Sequence, residues 1–199
     1  MLDQYDAFIF DLDGTLVDSG KLHEVAWTRT LQKYDIPIDR ALMRSLAGVP
    51  TMATITMLLE RLDCRSPAPL TTMNEFKEAL VRDLAKDYVR PTALHRIAIE
   101  HQDRVPMCVC TGAYTDEAQR ILEICGLTHL IGHVVGADRV DRPKPAPDTF
   151  LLCAQLMGVA PQRCVVFEDS SLGLEAAERA DMASIDVLQE YNIVNDYFL

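Results

Sequence analysis

The sequence predicts an α/β protein: a doubly wound, mostly parallel sheet interrupted after its first strand by a helical insertion. Three observations carry the prediction. Short apolar runs alternate with longer helical segments through the second half of the chain, the pattern of βαβ units. Glycines close two of those segments, Gly126 and Gly158, where a helix C′ residue belongs. Between the first strand and the next comparable run, the residues from about 20 to 88 read as helix after helix. That is far longer than a usual βα connection.

The elements follow in order. Residues 5–10 form a short apolar run ending at Asp11, the first strand signal. In the insertion, Ile55, Leu58, Leu59 and Leu62 stand at i, i+3, i+4 and i+7, one face of a helix. Pro67-Ala68-Pro69 marks a turn. Thr72 and Glu75 have capping-box spacing, and Phe76, Leu80, Leu84 and Tyr88 mark the face of the helix that follows. Later strands are expected at 107–110, 133–135, 164–167 and 183–187, with helices at 115–125, 148–157 and 171–180 between them. The division is then a core of residues 1–18 and 90–199 and a helical cap of 19–89, hinged near 17–19 and 89–91. The tail, 189–199, holds Tyr191, Ile193, Val194, Tyr197, Phe198 and Leu199 and suits packing on the core or against a partner equally.

Composition narrows the function. Of 199 residues 49% are hydrophobic, enough for a sizeable core. A net charge of −11 repels nucleic acid and anionic lipid, so neither is expected as a partner. It also repels an anionic substrate, so a phosphate site must build local positive charge with a metal ion or a few placed cations. No apolar run approaches the ~18 residues of a membrane span, and the first residues lack a basic leader region, so a cytoplasmic protein is expected. Six cysteines without a C-x-x-C pair read as buried, reduced thiols. A monomer is the default expectation.

The chemistry-bearing residues fall at or just beyond strand ends. Asp11-Leu12-Asp13-Gly14-Thr15 follows the first strand, with two carboxylates two residues apart and a glycine to turn on. Such a string arises by chance in a chain this size on the order of one time in a thousand. A calcium loop is excluded: with Gly14 at its glycine position, the first and last ligands would be Ile9 and Gly20. Glu168-Asp169 follows the strand at 164–167, Thr111-Gly112 follows that at 107–110, and Lys144 lies in Arg142-Pro143-Lys144-Pro145-Ala146-Pro147, stiffened by its prolines. Singly, each has an ordinary reading: helix N-caps for the acids, a structural threonine, a solvated lysine. In a parallel sheet their order would bring them to one edge, where ligands of open α/β sheets bind. His129 and His133 have i, i+4 spacing but no third ligand for a metal.

These residues resemble the four motifs of the haloacid dehalogenase superfamily of phosphotransferases, whose Rossmann-like core carries a cap. Asp11 to Thr15 match the first, Thr111 the second, Lys144 the third and Glu168-Asp169 the fourth, and the likeness spans nearly the whole chain. Within the superfamily the chain is similar to the β-phosphoglucomutase-like subgroup, through His23-Glu24-Val25-Ala26-Trp27, Lys144-Pro145-Ala146-Pro147-Asp148-Thr149-Phe150 and Phe167-Glu168-Asp169-Ser170.

The resemblance implies a Mg²⁺-dependent phosphoric monoester hydrolase acting on a small phosphorylated metabolite. Asp11 would be the nucleophile and form an aspartyl-phosphate. Asp13 would be general acid, then general base. Asp11, Glu168, Asp169 and the backbone carbonyl of Asp13 would hold Mg²⁺. Lys144, Thr111 and the Gly112 N–H would bind the phosphoryl oxygens, and His23 would reach the substrate from the cap, whereas Trp27 suits the cap core. Fructose 1-phosphate or 6-phosphogluconate is the kind of substrate implied. The alternatives are a phosphosugar mutase of β-phosphoglucomutase type and a non-enzymatic binder on the same fold. A mutase has a cap arginine after the loop resembling Ala47-Gly48-Val49-Pro50, where this chain has Thr51. Arg44, Lys77, Arg82 or Lys86 would have to replace it. The intact set of Asp11, Asp13, Thr111, Lys144 and Asp169 speaks against the binder.

Overall fold

A computed structural model describes residues 2–199. In chain order the elements are β1 (Ala7–Asp11), β2 (Val17–Asp18), α1 (Gly20–Lys33), α2 (Arg40–Ser45), α3 (Thr51–Arg61) and α4 (Leu70–Tyr88). Next come β3 (Arg90–Pro91), α5 (His95–His101), β4 (Met107–Cys110), α6 (Thr115–Ile124) and β5 (His133–Val135). The chain ends with α7 (Asp148–Met157), β6 (Cys164–Glu168), α8 (Ser171–Arg179), β7 (Ala183–Asp186) and α9 (Val187–Glu190). No helix is long and apolar enough to cross a membrane among the described residues.

Five strands form one parallel sheet in the order β5-β4-β1-β6-β7. β1 is central, and the chain winds first to one side of it and then to the other. The carboxyl ends of β1, β4 and β6 therefore flank the point where the winding reverses, the crevice that binds ligands in such sheets. Both faces of the sheet are covered, so β1, β4 and β6 are buried at every residue. Alternation divides β1 between two cores. Phe8 and Phe10 join Val109, Val165 and Phe167 on one face, with the Phe10 and Phe167 rings stacked at 4.7 Å. Ala7 and Ile9 join Cys108, Cys110, Phe150 and Cys153 on the other.

A third core lies within the insertion. Trp27 and Leu31 of α1 pack with Met43, Ile55, Leu58, Leu59 and Met73. The two connectors leave the core side by side, because β2 and β3 pair antiparallel, Val17 against Pro91 and Asp18 against Arg90. Thr92 stitches them further: its N–H donates to Leu16 O at 3.0 Å and its hydroxyl to Thr15 O at 2.6 Å.

The helix expected near Thr72 starts earlier. α4 begins at Leu70 behind Pro69, whose φ of −54° suits a helix start, so Thr72 lies inside the first turn and caps nothing. The tail packs in a direction the sequence left open. Tyr197 and Phe198 are buried in the third core, against the helices of the insertion.

Candidate active site

The site grows from the end of β1. Asp11 is the last residue of that strand, and the chain then turns at Gly14, with φ at +81°. A Cβ on Gly14 would lie 2.4 Å from both Asp169 Oδ2 and Asn195 Nδ2, so only glycine fits there. Two residues apart, the carboxylates of Asp11 and Asp13 line one cavity but meet different partners.

Asp11 faces the acids of β6. Lys144 Nζ donates to Asp11 Oδ1 and to Glu168 Oε2, each at 2.7 Å. The three side chains are sealed in, at 7% exposure for Lys144, 9% for Asp11 and 1% for Glu168. Carboxylate oxygens of Asp11, Glu168 and Asp169 lie within 4.8 Å of one another. Ser170, not either acid, caps α8, accepting from Gly173 N at 3.1 Å. That leaves Glu168 and Asp169 to the cavity, against the ordinary reading of acids after a strand. Glu168 Oε1 is engaged with the Ser170 N–H and hydroxyl, and Asp169 Oδ2 accepts from Asn195 Nδ2 at 2.7 Å.

Charge in this cluster does not balance. One ammonium serves three carboxylates. Burial and the Glu168 charge push Asp11 well up from the usual carboxylate range, and the same two causes bring Asp169 to about 7. Burial disfavours the Lys144 charge, but Asp11 and its acidic neighbours more than restore it and keep the ammonium. Two further positive charges would settle the cluster. A divalent cation that prefers oxygen supplies them, so this donor set fits Mg²⁺. The Asp13 side chain stands outside the cluster, so any share Asp13 has in holding a cation would come through its main-chain carbonyl.

Asp13 faces the insertion. It accepts from Ser19 Oγ at 2.6 Å, contacts His23 Nε2 at 3.1 Å and accepts from Thr111 Oγ1 at 3.3 Å. Burial pushes its carboxyl up, but His23, Ser19 and the more distant Lys77 outweigh that and hold it at about 2. The chain's own groups thus order the two carboxyls with Asp13 ionised first. Thr111 is fixed by donating its N–H to Val135 O at 3.1 Å, and its hydroxyl also accepts from Ala113 N. Gly112 meets the insertion directly: a Cβ there would stand 2.6 Å from Gly48 O. The loop over 47–50 is therefore closed down on the core.

The roof of the cavity carries Thr51, Lys77 and Glu78. Thr51 Oγ1 donates to Glu78 Oε1 at 2.7 Å, and Lys77 Nζ stands 3.3 Å from the same oxygen. Glu117 of α6 meets Glu78 from the other side: Glu78 Oε2 and Glu117 Oε1 are both buried without any other partner, so a proton between the two carboxyls would join them. Burial raises Glu117 well above the usual range, while Glu78, also pushed up by burial, is held to about 2 by Glu117 and Lys77. The pair shares one proton, kept on Glu117. Of the four cations weighed as replacements for a mutase arginine, Lys77 lines this cavity; Arg82 and Lys86 line a groove beside it, and Arg44 bonds Tyr197 O at 3.1 Å.

All eight residues singled out from the sequence line this cavity or bond to residues that do: Asp11, Asp13, His23, Thr111, Gly112, Glu168 and Asp169 line it, and Lys144 bridges Asp11 and Glu168. Trp27 is buried in the insertion's core instead. Sequence reasoning missed Ser19, Glu78, Glu117 and Asn195. Ser19 lies between β2 and α1, where a hinge was expected, and was within reach of that reading; the other three carry no local signal.

A family model described as haloacid dehalogenase-like hydrolase matches residues 5–181. The fructose-1-phosphate phosphatase YqaB of Escherichia coli is 41% identical over 187 residues, covering 94% of this chain and 98% of that protein. A phosphorylated carbohydrates phosphatase of Thermotoga maritima is 30% identical over 182 residues, covering 90% and 83%. A crystal structure of β-phosphoglucomutase from Clostridium difficile shares the fold, with a TM-score of 0.81 at 23% identity over 98% of this chain and 97% of that one.

Proposed function

The chain belongs to the haloacid dehalogenase-like hydrolases, and on that premise we propose that this phosphoric monoester hydrolase takes a small sugar phosphate, depends on Mg²⁺ and works through an aspartyl-phosphate on Asp11. One observation carries the reading. The Lys144 ammonium is held between Asp11 and Glu168, with Asp169 beside them, at the carboxyl ends of two neighbouring strands.

Asp11, Asp169 and Glu168 would hold the cation, with the main-chain carbonyl of Asp13. When bound, Mg²⁺ would supply the positive charge that lets a carboxylate approach a phosphate dianion. Asp11 Oδ2, the oxygen not held by Lys144, would attack phosphorus in line with the ester oxygen. As that P–O bond breaks, Asp13 would give its proton to the departing sugar oxygen. Asp13 would first have to take up that proton from solvent as the dianion binds, against the pull of His23, Ser19 and Lys77; thereafter the second step would return it. In the second step the Asp13 carboxylate would take a proton from water as the water attacks the phosphoryl group. Phosphate would leave and Asp11 would be regenerated. Lys144, Thr111 and the Gly112 N–H would hold the phosphoryl oxygens, His23 would meet the substrate, and the loop over Gly48 would keep other water out. The division into a core of 1–18 and 90–199 and a cap of 19–89 belongs to the same proposal.

The roof favours hydrolysis over mutation of the sugar. A mutase needs a cation free for a second phosphate, and Lys77, the lysine of the roof, is already paired with Glu78. The name of the Escherichia coli relative makes fructose 1-phosphate the first compound to try. The test is phosphate released from fructose 1-phosphate, 6-phosphogluconate and an aryl phosphate, with Mg²⁺ or with chelator. Turnover only with Mg²⁺, abolished by Asp11→Asn, is expected. No turnover of any ester, or an Asp11→Asn variant as active as the parent, would end the reading. Net conversion of β-glucose 1-phosphate to glucose 6-phosphate would replace it with the mutase.

A further inference from the structure

The tail enters the site. Beyond α9 the chain passes the end of β6, and Asn195 Nδ2 donates to Asp169 Oδ2 at 2.7 Å. The amide is fixed in that orientation, because Asn195 Oδ1 accepts from Tyr197 N at 3.1 Å. Two glycines clear the path. A Cβ on Gly14 would strike the Asn195 amide, and one on Gly20 would stand 2.7 Å from Asn195 Oδ1 and 3.0 Å from Tyr197 N. Both Asn195 and Tyr197 line the cavity. Past Asn195 the tail leaves the core for the insertion. Tyr197 and Phe198 are buried beside Trp27, Leu31 and Met43, Arg44 Nη1 donates to Tyr197 O at 3.1 Å, and Arg40 donates to Leu199 O.

We propose that Asn195 is a positioning residue for the proposed reaction, holding the Asp169 carboxylate so that its second oxygen is presented to the divalent cation, and that the tail's anchorage on the cap delivers it. This rests on the cation site proposed above. A carboxylate offers two oxygens and can rotate about its last bond. With Oδ2 held by the amide, Oδ1 is left in a fixed direction, and a cation that demands near-octahedral geometry gains from a ligand that need not be ordered on binding. Asn195 donates from a segment whose own place depends on Arg40, Arg44 and the cap core, so the cation site and the seat of the cap are linked through one strap of chain.

The measurement is binding of Mn²⁺, as a stand-in for Mg²⁺, counted by electron paramagnetic resonance on the full chain without substrate, alongside the Mg²⁺ dependence of phosphate release. Asn195→Ala is expected to weaken Mn²⁺ binding about tenfold, the usual effect of losing a group that orients a ligand. The Mg²⁺ needed for half-maximal rate should rise in step, while the KM for the ester at saturating Mg²⁺ stays within about twofold. Arg44→Ala, which touches neither acid nor substrate, should weaken Mn²⁺ binding by a smaller factor. Far-UV circular dichroism and a melting curve establish that each variant folds. A folded Asn195→Ala variant with Mn²⁺ affinity within twofold of the parent, where Asp169→Asn has lost binding, would overturn the proposal and leave the proposed function standing. An Asp169→Asn variant that still binds Mn²⁺ like the parent would overturn both.

Discussion

Replacing Lys144 by Met should turn the stability of this protein into a steep function of pH. The ammonium makes two contacts of 2.7 Å, to Asp11 and Glu168, and none of the three side chains is more than 9% exposed. At an effective dielectric constant of 20, each contact is worth ~6 kcal/mol of Coulomb attraction, much of it offset by the desolvation of the charges. Removing one partner from such a group costs about 3–5 kcal/mol, because the remaining charges stay buried without it. For a chain of this size that is a fall of roughly 10 °C in melting temperature. The sign with pH follows from the acids left behind. Without the ammonium, which lowers its proton affinity, Asp11 holds its proton still more tightly in the folded chain than in the unfolded one, so the variant loses stability as pH rises. Thermal or urea unfolding of both proteins at pH 5.5 and 8.5, in chelator, measures it. The deficit should be largest at pH 8.5, shrink at pH 5.5, and be partly restored by Mg²⁺. A deficit that is the same at both pH values, or none at pH 8.5, would refute the charge argument.

Other outcomes follow from the same geometry. Asp169 titrates at about 7 because it is buried beside Glu168, so protons would compete with the proposed cation below neutrality. The Mg²⁺ needed for half-maximal rate should rise about tenfold per pH unit well below pH 7, as a titration of activity against Mg²⁺ at several pH values would reveal. Glu117 holds the proton it shares with Glu78. Its folded affinity for protons is raised, so its contribution is full at low pH and lost as pH rises. Glu117→Gln keeps a donor without the titration and should stabilise the chain by about 1 kcal/mol at pH 9 and by less at pH 6, read from urea unfolding. Gly112→Ala puts a methyl 2.6 Å from Gly48 O and should push the loop over 47–50 off the core, lowering kcat/KM by tenfold or more with little loss of melting temperature.

The sequence exposed those parts of the site that local pattern and sheet topology place together. Asp11, Thr111 and Glu168 each end or directly follow a strand, and a parallel sheet has one carboxyl edge. Lys144 alone reads as a solvated charge; it is picked out by its place after a strand in the order of the motifs that the chain resembles. What stayed hidden depends on contacts between distant segments. Nothing in the periodicity of α4 marks Glu78 as the partner of Glu117 in α6, since a glutamate on a helix is ordinarily a solvated charge. The tail has apolar residues without a helical or strand period, so its seat on the helices of the insertion was undetermined. Thr72 was misread for a simpler reason: a capping-box spacing occurs inside helices too, and Pro69 had already started this one. The relative acidity of Asp11 and Asp13 was likewise beyond reach, because it is set by Ser19, His23 and Glu168 arriving from three different elements.

The central place of β1 has a consequence for how the chain is made. Phe8 pairs with Met107 on one side and with Val165 on the other, so β1 is made before either neighbour and waits for both until β6 has been synthesised. Until then its unbroken apolar run must be shielded, and long-range strand pairing of this kind is slow. The helices of residues 20–88 make local contacts and can assemble meanwhile. Their core nonetheless lacks Tyr197 and Phe198 until the chain has passed β7 and α9. The core of the insertion is therefore completed only after all five strands of the sheet have been made.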